Sequence, residues 1–288
     1  MNKEGKIWVT GRGGLMASEI ARLATDSAIY SSRQDCDIAD INSVENFISS
    51  HNNIRAIINC AADRNAEKIE EDEHAARSVT IDGPLNLAKI ANKRSIPLIH
   101  FSSDYVFGDT LNKPITEDMD TNPLNVYGKL KAECEQLLMQ TAETCIVVRT
   151  SWIFSRFGGD FVSTVAKICK QKKHIKVVCD QVGSPTYGSD LAQAILELEA
   201  KIQHGTRDIL HISNNGICSW YDLAEFIVAE LGIEATVEPI LSSEFHMKAK
   251  RPSYSVLWCR KALATYGINM RHYRTALIEC CRLMKNNI

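Results

Sequence analysis

The chain lacks any uninterrupted apolar run of about 18 residues, the length a helix needs to cross a bilayer, so no membrane span is expected. It also lacks a charge imbalance. Lys and Arg total 33 against 35 Asp and Glu, a formal net charge of −2, so no basic surface for nucleic acid is expected. None of the ten cysteines sits in a Cys-x-x-Cys pair, and the eight histidines show no ligand spacing. The opening stretch MNKEGKIWVT runs straight into a strand-like segment, without the basic, apolar and small-residue order of an export signal. Reduced thiols, no metal site and a cytoplasmic location are the expectations that follow. No internal repeat, low-complexity tract or long charge run interrupts the chain.

What is present is ordinary globular composition, 45% hydrophobic and 24% charged over 288 residues, enough for a dinucleotide-binding domain plus a smaller lobe. Lys6–Thr10, Ala56–Asn59, Leu98–Ser102 and Cys145–Thr150 read as short buried strands. Ala17–Thr25, Ser43–Ser50, Gly83–Lys93 and Tyr127–Gln140 read as the helices between them. Such alternation implies a doubly wound parallel α/β sheet. Beyond residue 150 loops rich in Gly, Ser, Asn and Pro break the pattern. The expected division is therefore 1–150 for the dinucleotide and 151–288 for a smaller C-terminal substrate lobe, partly interleaved with the first part.

Directly after the first strand comes Thr10-Gly11-Arg12-Gly13-Gly14-Leu15-Met16-Ala17, a Gly-x-x-Gly-x-x-Ala turn opening a helix. Gly11 suits the tight turn, Gly14 lets backbone approach a pyrophosphate, and Ala17 allows close helix–strand packing; Leu15 and Met16 complete the contact. The helix N-terminus then offers free N–H groups to the anion. NAD-binding proteins place an acidic residue about 20 positions on, against the ribose 2′-hydroxyl. Here that stretch reads Tyr30-Ser31-Ser32-Arg33, and Arg33 with Arg12 could pair with a 2′-phosphate. Asp35, or Asp37 beside Ile38, could instead supply the acid. NADPH is favoured, with NADH open.

Tyr127 and Lys131 stand four residues apart on one helix face. A carbonyl reduced by hydride must receive a proton. A phenol of reference pKa about 10 donates poorly unless its anion is stabilised, which a nearby ammonium would do by lowering that pKa. Upstream, His100-Phe101-Ser102-Ser103 ends a strand in hydroxyls, and the carboxyl ends of strands are where open α/β sheets place their active sites. Ser103 is placed to donate to the substrate oxygen.

The segments Asn59–Ala62, Ser103–Phe107, Asn122–Gly128, Arg149–Trp152, Asp180–Thr186, Ser219–Trp220 and Arg251–Pro252 resemble, in order and across nearly the whole chain, dTDP-4-dehydrorhamnose reductases. These are Rossmann-type enzymes of the extended short-chain dehydrogenase/reductase superfamily. The resemblance implies reduction of the 4-keto group of a dTDP-linked 6-deoxyhexose by NAD(P)H, giving dTDP-L-rhamnose. It makes Ser103, Tyr127 and Lys131 the triad, and sets Cys60, Ala61, Ala62 and Ser102 along the cofactor. Asp104, Tyr105 and Trp152 would line the sugar pocket, and Gln181 and Arg251 would lie near the nucleotide diphosphate. A homodimer is implied by the same analogy. The chain departs from the family pattern at Asp63-Arg64, Thr80, Asp160 and Trp258-Cys259, which leaves the sugar open. Two alternatives stand: a reductase of another nucleotide-linked keto-deoxysugar, and a non-catalytic regulatory subunit like that of methionine adenosyltransferase.

Overall fold

The computed structural model describes residues 4–109 and 113–285. Its centre is a six-stranded, all-parallel sheet. The first five strands in chain order are β1 (Lys6–Thr10), β2 (Ala28–Ser31), β3 (Ile54–Asn59), β4 (Leu98–Ser103) and β5 (Cys145–Thr150). Across the sheet the order is Arg207–His211, β5, β4, β3, β1, β2. The sixth strand thus comes from far beyond residue 150.

Alternation along β1 explains how the two faces fill. Side chains one residue apart leave a strand on opposite sides. Ile7 and Val9 accordingly pack with α1 (Leu15–Leu23) and the helix Gly188–Glu199, while Trp8 packs with α2 (Ile41–Ser49), α5 (Gly83–Arg94) and α6 (Val126–Thr141). Trp8 is fully buried, and its indole N–H donates to Ser31 Oγ at 2.9 Å, so the largest core side chain leaves no polar atom unpaired. Between α2 and α5 the chain forms α3 (Ala66–Glu71), α4 (Glu73–Arg77) and a five-residue π-helical turn, Ser78–Asp82.

A second core gathers around Phe154, Tyr187, Leu223 and Leu277, with the parallel pair His174–Val178 and Thr236–Ile240 at its edge. Two buried or half-buried ion pairs tie elements together: Arg149 of β5 to Glu135 of α6 at 2.7 Å, and Arg271 to Asp190 at 2.8 Å. Among the described residues, no helix is long and apolar enough to cross a membrane.

Candidate active site

At the carboxyl ends of β1, β2 and β3 lies a cleft of about 770 Å³. Its floor is set by backbone that only glycine permits. Gly11 has φ +75°, and a Cβ there would lie 2.8 Å from Ala61 N and the Cys60 carbonyl. The end of β3 therefore presses directly against the turn. Below it, Thr10 Oγ1 donates to Asn59 Oδ1 at 2.6 Å and Asn59 Nδ2 meets His100 Nδ1 at 3.0 Å, which cross-links the ends of β1, β3 and β4. α1 begins at Gly14 with no side chain capping its free amides. A bare helix N-terminus over a glycine turn matches what a diphosphate requires, so the residues present fit a dinucleotide.

Of the twelve residues expected along the cofactor, Gly11, Arg12, Gly14, Leu15, Met16, Arg33, Asp37, Ile38, Cys60, Ala61 and Ala62 line this cleft. Ser102 does not. It sits in the β4–β5 ladder opposite Arg149, 5% exposed, inside the sheet layer, and its Oγ has no hydrogen-bond partner. At the β2 end, Arg12 pairs with Asp35 at 2.8 Å and Arg33 with Asp37 at 3.1 Å. Asp35 also accepts from Ser32 N and Ser32 Oγ at 2.8 and 2.6 Å, and these bonds hold its carboxyl below the usual range. The opposite wall, α3 to the π-turn, contributes Lys68, Asp72 and Val79, with Asp63 and Arg64 just before it. Sequence reasoning flagged Asp63, Arg64 and Thr80 as departures but did not foresee this wall.

Ser103, Tyr127 and Lys131 meet just beyond the cleft, where Asp63 and Arg64 are close enough to act electrostatically on the Tyr127 phenol. α6 brings the tyrosine in. Asn125 caps the helix, its Oδ1 accepting from Gly128 N at 2.8 Å and its Nδ2 donating to Lys250 O at 2.7 Å, while Glu70 accepts from Val126 N at 2.9 Å. A Cβ on Gly128 would lie 2.0 Å from Tyr105 O, so the first turn of α6 touches the segment after Ser103 only because residue 128 is glycine. The Ser103 hydroxyl is thereby brought near enough to the phenol to lower its pKa.

The electrostatics differ from the sequence expectation. Burial, followed by the charge of Asp104, pushes the Tyr127 phenol up to about 12; Ser103 and Arg64 pull it down. Lys131 Nζ lies 6.0 Å from the phenol ring centroid and donates to Phe101 O at 2.9 Å. Its own pKa is lowered by burial. Desolvation outweighs the ammonium here because an ion 3% exposed, aimed at a backbone carbonyl, is itself short of solvation.

The expected sugar-pocket residues divide. Asp104 adjoins Ser103, and Tyr105 stands edge-on to Tyr127 with centroids 5.9 Å apart. Arg251 lies near enough to the Tyr105 phenol to lower its pKa, donates to Ala249 O at 2.9 Å and pairs with Glu67 of α3 at 3.0 Å. Trp152, at φ +47°, is stacked on Trp220 with centroids 3.5 Å apart and lies against Gly183. Gln181 is 8% exposed and donates to Ser242 Oγ at 2.9 Å. Two departures lie apart from the catalytic cluster. Asp160 is a helix cap, accepting from Ser163 N and Ser155 N at 2.9 Å, and Trp258 lines a separate depression with Arg260 and Lys261.

The model of the family described as the RmlD substrate binding domain matches residues 5–286. A dTDP-4-dehydrorhamnose reductase of Mycolicibacterium smegmatis is 36% identical over 281 residues, 94% of this chain and 84% of that one. Among solved structures, a dTDP-4-dehydrorhamnose reductase of Clostridium acetobutylicum superposes with TM-score 0.92 at 35% identity, covering 97% of this chain and 99% of that one. One from Bacillus anthracis, in complex with NADP, gives 0.90 at 28% identity over 96% and 98% of the two chains.

Proposed function

This chain belongs to the RmlD substrate-binding-domain family, and from that premise we propose that it reduces the 4-keto group of a dTDP-linked 6-deoxyhexose, dTDP-4-dehydrorhamnose, at the expense of NADPH. It is an NAD(P)H-dependent oxidoreductase. The observation that carries the residue roles is the meeting of the Tyr127 phenol, the Ser103 hydroxyl and the buried Lys131 side chain beside a glycine-turn cleft.

Bound in that cleft, NADPH would supply the hydride. Arg12 and Arg33 would hold the ribose phosphate, and the uncapped amides of α1 would hold the diphosphate. Ser103 donates a hydrogen bond to the ketone oxygen, and Tyr127 gives that oxygen its proton. A phenol at about 12 keeps its proton firmly in the ground state; it releases it only as the oxygen beside it becomes an alkoxide, a far stronger base. Lys131, anchored on Phe101 O, keeps a positive charge under the ring as the phenolate forms. Residues 1–150 hold the cofactor and 151–288 mainly the sugar nucleotide, with the strand Arg207–His211 returned to the sheet. A cytoplasmic homodimer completes the reading. The intact Ser103–Tyr127–Lys131 cluster argues against a silent regulatory subunit.

The test is NADPH oxidation at 340 nm with a dTDP-4-keto-6-deoxyhexose. Stoichiometric oxidation with formation of the 4-hydroxy sugar supports the proposal. NADPH binding without turnover would leave a binding protein.

A further inference from the structure

Resting on that reading, we propose that Asp104 is a positioning residue: through the hydrogen bond it accepts from Ser103, its buried carboxyl decides whether the Ser103 hydroxyl can donate to substrate, and the reducing form carries a proton on Asp104.

Ser103 is a hub with too few hydrogens. Its Oγ donates to Asp104 Oδ1 at 3.0 Å and accepts from Tyr105 N at 3.2 Å, and it lies near enough to the Tyr127 phenol to lower that phenol's pKa. A serine hydroxyl has one hydrogen and two lone pairs, and an ionised carboxylate has no hydrogen at all. While Asp104 is ionised, the Ser103 hydrogen is committed to it in a charge-assisted bond and is not available to a ketone oxygen. A proton on Asp104 turns that bond into a weaker neutral one, so the Ser103 hydrogen can turn toward the substrate. The Asp104 proton only reorients hydrogen bonds and is not consumed.

The carboxyl is built to hold that proton. Asp104 is 2% exposed, and its Oδ2 accepts no hydrogen bond, so an ionised oxygen there has neither water nor a donor to solvate it. The groups facing it are Ser103 on its own segment, Ser255 from the segment that pairs with Val182, and the phenols Tyr105 and Tyr127. Charges reach it only at one remove: Arg251 acts on Tyr105, and Arg64 and Asp63 act on Tyr127. Among the described residues no cation forms an ion pair with it. Burial pushes the Asp104 carboxyl up to about 6, with Ser255 and Ser103 holding it from rising further.

The test measures kcat/KM for the dTDP-4-keto sugar, at saturating NADPH, from about pH 5 to about pH 9. For the wild type it should fall about tenfold per pH unit above a midpoint of about 6. Asp104→Asn, whose amide cannot ionise, should lose this limb. Ser103→Ala should be slow but also lack the limb, because no hydroxyl remains to redirect. An unchanged limb in either variant overturns the proposal. So does an Asp104→Asn protein that binds NADPH normally yet is inactive at every pH, since Asp104 would then be required as an acid. A wild type with no turnover at any pH overturns the reductase reading itself.

Discussion

Arg12 and Asp35, beside β2, keep 57% and 35% of their side-chain surface in water, whereas Asp104, two strands beyond β1 at the end of β4, keeps 2%. The first region reaches the cleft through Arg12, and the second lies just beyond it. At the open end the charge is paired and solvated, so breaking the pair costs little and the arrangement can discriminate between cofactors without unsettling the fold. At the closed end nothing pairs the charge, and burial moves proton affinities instead. One end thus handles recognition by exchangeable ion pairs, and the other handles chemistry by desolvated protons.

The largest expected effect is at the closed end. Tyr127→Phe should lower kcat by roughly three orders of magnitude or more, within the range attributed to general acid catalysis and its positioning, while the dissociation constant for NADPH, measured by fluorescence titration, stays within about twofold. A near-normal kcat would take the phenol out of the reaction. Next comes Gly128→Ala. Its Cβ would lie 2.0 Å from Tyr105 O, so α6 must shift, at an expected cost of about 1–3 kcal/mol in urea unfolding together with a large loss of kcat. An unaltered enzyme would mean that α6 has slack where the structure shows contact.

Asp104 supplies a third test, through stability. Its folded-state pKa, raised to about 6, exceeds the ordinary value of about 3.9. Over that interval the folded protein binds the extra proton, so this group's contribution to stability is present at low pH and is lost as pH rises from about 4 through about 6. Asp104→Asn should therefore raise Tm at pH about 8 and leave it unchanged at about pH 4. Equal shifts at both pH values would contradict a titrating Asp104. The smallest effects belong to the open end. Arg12→Leu should weaken NADPH by about tenfold, the order of one charge-assisted hydrogen bond, with NADH unaffected. Arg33, 84% exposed, should matter less. Asp35→Asn should shift preference further toward NADPH, because it frees Arg12. Weaker NADH binding in that variant would instead make Asp35 the ribose ligand.

The same contrast governs what the amino-acid sequence disclosed. β1 and β5 fall where apolar runs place them, and β3 begins only two residues before the run that marks it. The glycine turn and the Tyr127–Lys131 spacing were legible because both chemistries tie residue type to short-range geometry. β2 escaped notice as a strand, since Ala28–Ser31 is only four residues long and ends in polar side chains. The cleft wall from α3 to the π-turn escaped for another reason. Its Glu- and Lys-rich sequence reads as solvated surface, yet Ile69, Ala76 and Ile81 join the core beside Trp8 and Val79 packs against it. Strand Arg207–His211 was hidden by its polar ends, although it closes the sheet beside β5. Nor could spacing show that burial would raise the phenol or that Ser103 would be bound to Asp104. Those depend on how closely α6 approaches β4, which rests on a single missing Cβ at residue 128.

Transfer of label offers the most direct check on the central claim. NADPH carrying deuterium at the transferable C4 position should pass it to C4 of the dTDP-linked sugar, one atom for each NADPH oxidised, and Tyr127→Phe should all but abolish that transfer. Oxidation of NADPH that leaves the sugar unlabelled, or that labels another carbon, would contradict the account.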